Sequence, residues 1–248
     1  MERTYGILDL LRRKKQVSVR EICDTLYCSE ATARRDCKKL ETMQLAKRVR
    51  GGIVLVEGPS VDFSAAYRNV TNTDKKDYIC SIAADFVGSG MSLFLDASST
   101  SLRLCNYLGG YQGLTVATNG IDAALMLNNN MSIESFVPGG LMKKGTHTIL
   151  GGSATSFIDG LTADIAFISC RGINRFGAYD ADPLQKEIKV AMMRNAKKTL
   201  LLCDSSKFGQ TFFHKLCEWR KIEAVITDVR PADDFIDALT SEGCEVLY

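Results

Sequence analysis

The sequence predicts two units of different class: a small N-terminal winged helix-turn-helix and a larger α/β domain built on a mostly parallel sheet. Three observations lead there. Residues 1–57 hold three short amphipathic helical segments followed by two strand-like runs around Arg50-Gly51-Gly52. Farther along, short apolar runs alternate with helical stretches, the pattern of strand–loop–helix units. Between the two patterns, Gly58-Pro59-Ser60 breaks regular structure and a polar run over 69–76 reads as a loop. The expected limits are therefore 1–57 for the first unit, 58–74 for a linker and 75–248 for the second.

Composition narrows the function classes. The 248 residues are 46% hydrophobic and 24% charged, enough for one large core and one small one. No apolar run approaches a membrane span, and the N-terminus reaches Arg12-Arg13-Lys14-Lys15 after a short apolar patch, unlike a secretory signal. Nine cysteines without a C-x-x-C pair argue against a disulfide framework or a zinc site and fit free thiols in a reducing cytoplasm. With two histidines, a histidine-rich metal site is not expected, and neither is a cofactor. The net charge of +2 is unevenly spread: 13 Lys/Arg stand against 8 Asp/Glu in 1–57, and 18 against 21 in the rest. A basic end on a near-neutral body points to nucleic acid at that end.

The elements of the first unit follow in order. Ile7, Leu8 and Leu11 share one face of a helix over 5–14. Ser18 caps a second helix, and Glu21 three residues on completes a capping box; Val19, Ile22, Cys23 and Leu26 form its apolar face. After the turn Tyr27-Cys28, Ser29 caps a third. There Ala33, Cys37 and Leu40 fall on one side, and Ala31, Arg34, Arg35 and Lys38 on the other, flanked by Thr32 and Lys39. A basic helix face is most often only solvated. A capped helix, a tight turn, a cationic helix and a basic hairpin in sequence make a DNA-reading unit. Arginine bonds guanine edges or phosphates, and lysine neutralises phosphates. The candidate DNA contacts are Ser29, Ala31, Thr32, Arg34, Arg35 and Lys38 on the helix, with Arg48 and Arg50 on the hairpin of 45–49 and 53–56.

In the second unit a helix is expected over 78–87. Each later apolar run ends in a polar loop: MSLFL in Asp96-Ala97-Ser98-Ser99-Thr100, LTVA in Thr118-Asn119-Gly120, SIESFV in Pro138-Gly139-Gly140, KTLLLC in Asp204-Ser205-Ser206-Lys207. DIAFIS and AVIT end similarly. Ligands of open parallel sheets bind at the carboxyl ends of strands. Ser98, Ser99 and Thr100 open a helix and can cradle an anion on backbone N–H groups. Asn119, Gly139 and Gly140 can line the same crevice, Lys207 can supply a counter-charge, and Asp96 and Thr118 in these loops are counted as candidates with them. Each loop alone reads equally as a helix cap; together they point to a small anionic ligand.

The stretch SVREICDTLYCSEATARRDCKKLETMQLAKRVRGG resembles the winged helix of DeoR-type bacterial transcription regulators. Thr32, Arg34, Arg35, Asp36, Leu40, Glu41, Arg48, Gly51 and Gly52 match that pattern; Ala33, Cys37 and Arg50 depart from it. The resemblance implies that Arg34 and Arg35 contact DNA and that Asp36 orients an arginine or caps locally. Residues 61–227 resemble the DeoR-type effector domain, whose fold is similar to ribose-5-phosphate isomerase. The stretches that carry this are FLDASST, TNG, PGG, ADIAFISCRGIN, EIKVAMM and LLCDSSKFG. This resemblance implies binding of a phosphorylated sugar, with Asp96, Thr100, Asn119, Gly140, Glu187 and Lys207 contributing. Ser98 stands where the family usually has Gly, and Gly120 where Ser is common.

The expected function is a cytoplasmic transcription regulator, a repressor of a sugar-utilisation operon released by a phosphorylated sugar, working as a homodimer or homotetramer. Its partners are operator DNA and the sugar; no membrane and no enzyme activity are expected. One rival is a sugar-phosphate isomerase with a DNA-binding appendage, its base drawn from Asp96, Asp204 or Glu187 and its electrophile Lys207. A second is a constitutive DNA-binding protein with an empty pocket. A third is an activator of the same family.

Overall fold

The structure, a computed structural model, describes residues 2–42, 45–56 and 65–248. It divides into two compact units, Met1–Phe63 and Ser64–Tyr248.

The first unit runs α1 (Glu2–Lys14), β1 (Gln16–Ser18), α2 (Val19–Leu26), α3 (Glu30–Thr42), β2 (Ala46–Val49) and β3 (Gly52–Leu55). α1 starts three residues earlier than its apolar face suggested. The expected cap is present: Ser18 Oγ accepts from Glu21 N at 3.1 Å. The Glu21 side chain pairs with Lys14 instead of returning to Ser18, so half of the capping box forms. Ile7, Leu8, Leu11, Ile22, Ala33, Leu40 and Ile53 are fully buried and make the core of this unit. The hairpin gains a third strand that periodicity did not reveal. β1 pairs antiparallel with β3, Val17 opposite Ile53 and Ser18 opposite Gly52. Three residues are too few for an alternation to register, and only Val17 points inward.

The second unit begins with α4 (Ala65–Val70) and α5 (Thr73–Ala84). This corrects the reading of the expected linker. Its residues 58–64 lie outside the described residues, whereas 65–70 and 73–74 are helical, and α5 starts five residues before the expected 78. A buried lysine explains the shift. Lys76 is 4% exposed and donates to the carbonyls of Arg68 at 2.5 Å and Thr71 at 2.6 Å, fastening the first turn of α5 to the end of α4.

The chain continues through β4 (Ser92–Leu95), α6 (Ser99–Leu104), β5 (Leu114–Thr118), α7 (Ile121–Leu127), β6 (Ile133–Phe136), β7 (Leu141–Lys143), β8 (Thr148–Leu150) and α8 (Gly152–Asp159). Next come β9 (Ala163–Ser169), β10 (Gly172–Asn174), β11 (Gly177–Asp180), α9 (Pro183–Arg194), β12 (Ala196–Leu202), β13 (His214–Cys217), β14 (Ala224–Ile226), α10 (Asp233–Thr240) and β15 (Glu245–Leu247). Seven strands form one wholly parallel sheet in the order β15-β14-β12-β9-β4-β5-β6. Both faces are covered, so alternate residues serve different cores: Leu93, Ile165, Phe167 and Leu200 face one, while Phe94, Ala166, Ile168 and Leu201 face the other. Two small antiparallel sheets, β7–β8 and β10–β11–β13, complete the unit. From β4 the chain builds the sheet toward β6, and from β9 it builds toward β15. The order therefore reverses between β4 and β9, and the ends of these two strands mark the topological switch point where ligands of such sheets bind.

Gly52 decides the first unit's geometry. A Cβ there would lie 2.3 Å from the carbonyl oxygen of Val17. Gly52→Ala is expected to destabilise this unit by more than about 2 kcal/mol and to abolish DNA binding. Thermal unfolding followed by domain-resolved hydrogen exchange checks this, and the second unit should be unaffected.

Candidate functional site

Two surfaces stand out, one in each unit. On the first, α3 buries Ala33, Asp36, Cys37 and Leu40 and turns Ala31, Arg34, Arg35 and Lys38 to solvent, with Thr32 half-buried. Ser29 Oγ accepts from Thr32 N at 3.3 Å and shares a hydrogen bond with Thr32 Oγ1 at 2.9 Å, fixing the start of the helix. Arg34 reaches back to Glu30 at 3.2 Å, an exposed pair that costs little to break. Asp36 is buried and holds Arg3 from α1 at 2.7 Å. It thus orients an arginine, though one outside the recognition helix. On the hairpin, Glu41 accepts from the backbone N–H of Arg48 at 3.1 Å and from its Nε at 2.6 Å. This ties the end of α3 to β2. Arg50 is exposed in the β2–β3 turn, beside Gly51 at φ +82°.

On the second unit, charged residues converge at the switch point. Asp96 follows β4 and is fully buried. One oxygen accepts from Ser98 N at 3.1 Å and Ser101 Oγ at 2.6 Å, and the other from Ser169 N at 2.9 Å. Lys189 of α9 lies 3.3 Å from that second oxygen. Its ammonium also donates to Asp180 at 2.7 Å and to the Ser169 carbonyl at 2.8 Å. Burial works against this charge, but Asp180 and Asp96 outweigh it and hold the Lys189 pKa above its usual value. Burial likewise opposes the Asp180 carboxylate, and Lys189 brings its pKa below the ordinary one. Lys207 donates to Ser169 Oγ at 2.8 Å, with Asp204 3.8 Å away. Asp204 caps its own loop and accepts from Asn72 at 3.1 Å.

Beside this network opens a small cleft walled by Arg68, Ser98, Ser99, Gly120, Thr146 and His147 among others. Burial lowers the Arg68 pKa, while Asp180 and Asp96 act to raise it. His147, at φ +49°, holds Nδ1 2.9 Å from Asp122. The β7–β8 hairpin closes one side, with Ile149 N donating to Asn119 O at 2.8 Å and Ile121 N to His147 O at 2.9 Å.

The sequence-predicted residues divide. Ser98 and Ser99 line the cleft, but Ser98 Oγ is spent on capping α6, accepting from Ser101 N at 3.0 Å. Thr118 Oγ1 accepts from Gly120 N at 3.1 Å. Thr100 Oγ1 and Asn119 Oδ1 are buried without a hydrogen-bond partner among the described residues. Asp96 and Lys207 belong to the network rather than to the cleft wall. Gly139 and Gly140 lie in the exposed loop after β6, where a Cβ on Gly140 would sit 2.7 Å from Leu150 O. Glu187 is exposed on α9 and makes no contact with the network. Two residues along the helix, roughly 200° around its axis, Lys189 is the one that enters. Sequence reading missed Lys189, Asp180 and Ser169. The available signal was a lysine inside the buried stripe Ile188, Ala191 and Met192. None of the three candidate bases, Asp96, Asp204 or Glu187, lines the cleft.

Two outcomes test this geometry. Lys189→Met leaves Asp96 and Asp180 without their cation and should cost about 3–5 kcal/mol in chemical denaturation. Lys76 has its pKa reduced from 10.5 to about 7, by burial first and by Lys207 second. Between those values the unfolded chain binds a proton that the folded one does not, so stability rises with pH across that window. Melting temperatures of the parent and Lys76→Met, measured from pH 6.5 to 10, should show this part of the rise in the parent alone.

Comparison with known proteins matches both units. Residues 3–58 match the DeoR-like helix-turn-helix domain and residues 71–229 the DeoR C terminal sensor domain. The chain is 33% identical over 246 residues to the HTH-type transcriptional repressor GlcR of Bacillus subtilis, covering 99% of this chain and 95% of that one. It is 27% identical over 246 residues to the glycerol-3-phosphate regulon repressor of Escherichia coli, covering 99% and 97%. Among solved structures, ribose 5-phosphate isomerase A from Methanocaldococcus jannaschii aligns with a TM-score of 0.41 at 18% identity, over 56% of this chain and 55% of that one. Among the described residues no helix is long and apolar enough to cross a membrane. The chain belongs to the DeoR family of DNA-binding transcriptional repressors, and it is a regulator rather than an enzyme.

Proposed function

We propose that this repressor is released from its operator by a small phosphorylated sugar held in the cleft beside β4 and β5. The observation that carries the reading is that Arg68, Ser98 and Ser99 line one cleft, next to the switch point where Lys189 is buried. A phosphate there meets a guanidinium and the N-terminal turn of α6. A relative named for glycerol 3-phosphate supports the ligand class.

The division of labour follows. Residues 1–57 read DNA through Ala31, Thr32, Arg34, Arg35 and Lys38, with Ser29 setting the helix and Arg48 and Arg50 on the wing. Residues 75–248, together with the α4 helix ahead of them, sense the sugar and pair the chains as a homodimer or homotetramer in the cytoplasm. The sugar lowers DNA affinity by binding the released state more tightly than the bound one.

Arg34→Ala and Arg35→Ala should each weaken operator binding by about 1–3 kcal/mol and flatten its salt dependence. Arg68→Ala and Lys207→Ala should keep parental DNA affinity and require a higher sugar-phosphate concentration for release. Fluorescence anisotropy on one labelled duplex measures both. Unchanged release in both of these variants would move the ligand elsewhere.

A further inference from the structure

Tyr27 is the outlier of the DNA-reading unit. It ends α2 at φ +49°, ψ +52°, the left-handed region, which disfavours a bulky side chain. The turn requires that conformation. The backbone N–H of Tyr27 returns to Cys23 O, and Cys28 N reaches the same carbonyl at 3.2 Å. Glycine or asparagine would meet the requirement at lower cost. The tyrosine side chain gives nothing back to the fold: it is 94% exposed, and among the described residues it makes no hydrogen bond, ion pair or ring contact. A strained, solvent-facing aromatic is explained by what it meets outside the fold.

Its position says what that is. Two residues after it, Ser29 opens α3, whose start carries unsatisfied backbone N–H groups and the positive end of the helix dipole. The exposed face that follows holds Arg34, Arg35 and Lys38. The surface next to the ring is therefore shaped for an anion, and in this unit the anion is DNA. A phenol donates well to a phosphate oxygen, and its ring offers a flat apolar face to deoxyribose.

We propose that Tyr27 is a further DNA contact, its hydroxyl donating to a backbone phosphate beside the groove that α3 enters and its ring lying on the adjoining sugar. This contact positions the recognition helix and reads no base itself. Being neutral, it releases no counterion, so it adds affinity without adding to the salt dependence.

The test uses the full chain and a labelled duplex enriched by the parent protein from a random-sequence pool. Affinities of the parent, Tyr27→Phe and Tyr27→Gly are measured at several salt concentrations, with melting temperatures alongside. Loss of a hydrogen bond to a charged group should weaken the Phe variant about tenfold. The Gly variant should weaken at least as much. The slope of affinity against salt should stay parental in both, unlike that of an arginine variant, and neither should melt below the parent. Parental affinity in Tyr27→Phe overturns the proposal whatever glycine does. A loss of affinity matched by a lower melting temperature in both variants overturns it as well, because Tyr27 would then serve the fold.

Discussion

The sensor domain is organised around one buried ammonium. Lys189 sits where the sheet order reverses and binds three groups from three segments: Asp96 after β4, the Ser169 carbonyl at the end of β9, and Asp180 at the end of β11. A charge so deep is tolerated only because it is paired and hydrogen-bonded. Asp96 in turn sets the loop that opens α6, through Ser98 N and Ser101 Oγ. Ser169 takes the hydrogen bond from Lys207. The shape of the cleft wall at Ser98 and Ser99 therefore descends from the position of one lysine. An arrangement of discrete, fully paired charges has few alternatives, and a ligand that adds an anion beside it can favour one arrangement over another.

The DNA-reading unit depends on a different constraint, the close approach of backbones. β1 lies against Gly52 without room for a side chain, and Glu41 clamps the wing to α3 through Arg48. Fixing the wing to the recognition helix means that both present their cations as one rigid surface, with little ordering left to be done on binding. Arg48 holds the hairpin in place, and in the function proposed for this unit it would also face DNA.

Much of this was legible in the sequence, for physical reasons. Amphipathic periodicity located α2 and α3 and separated Ala33, Cys37 and Leu40 from the cationic face. Strands buried on both faces read as continuous apolar runs, so all but β15 of the large sheet stood out. Of the three-residue strands, β14 showed as an apolar run, whereas β1, β7, β8, β10 and β15 are too short to carry a pattern. The start of α5 was hidden because Asn72, Asp74 and Lys75 look like a loop, and only the three-dimensional partners of Lys76 reveal a helix. Asp96 and Lys207 were found because polar residues after strands are informative. Lys189 was missed because a lysine in a helix is presumed to face water, and Glu187 two positions earlier drew the attention instead. Ser98, Ser99 and Thr100 were identified together, but the structure gives them different tasks: a cap, a wall and a buried hydroxyl.

The central claim is that a phosphorylated sugar in the β4–β5 cleft controls the grip of the first unit on DNA. The most direct test is to titrate a panel of phosphorylated sugars, each beside its unphosphorylated counterpart, into the complex of this repressor with its own upstream DNA. Salt is held fixed and release is followed by fluorescence anisotropy. The account predicts that one phosphorylated compound releases the DNA at micromolar concentration while its counterpart does not. Release by the unphosphorylated sugar at equal concentration would contradict it, and so would a complex that stays intact against the whole panel.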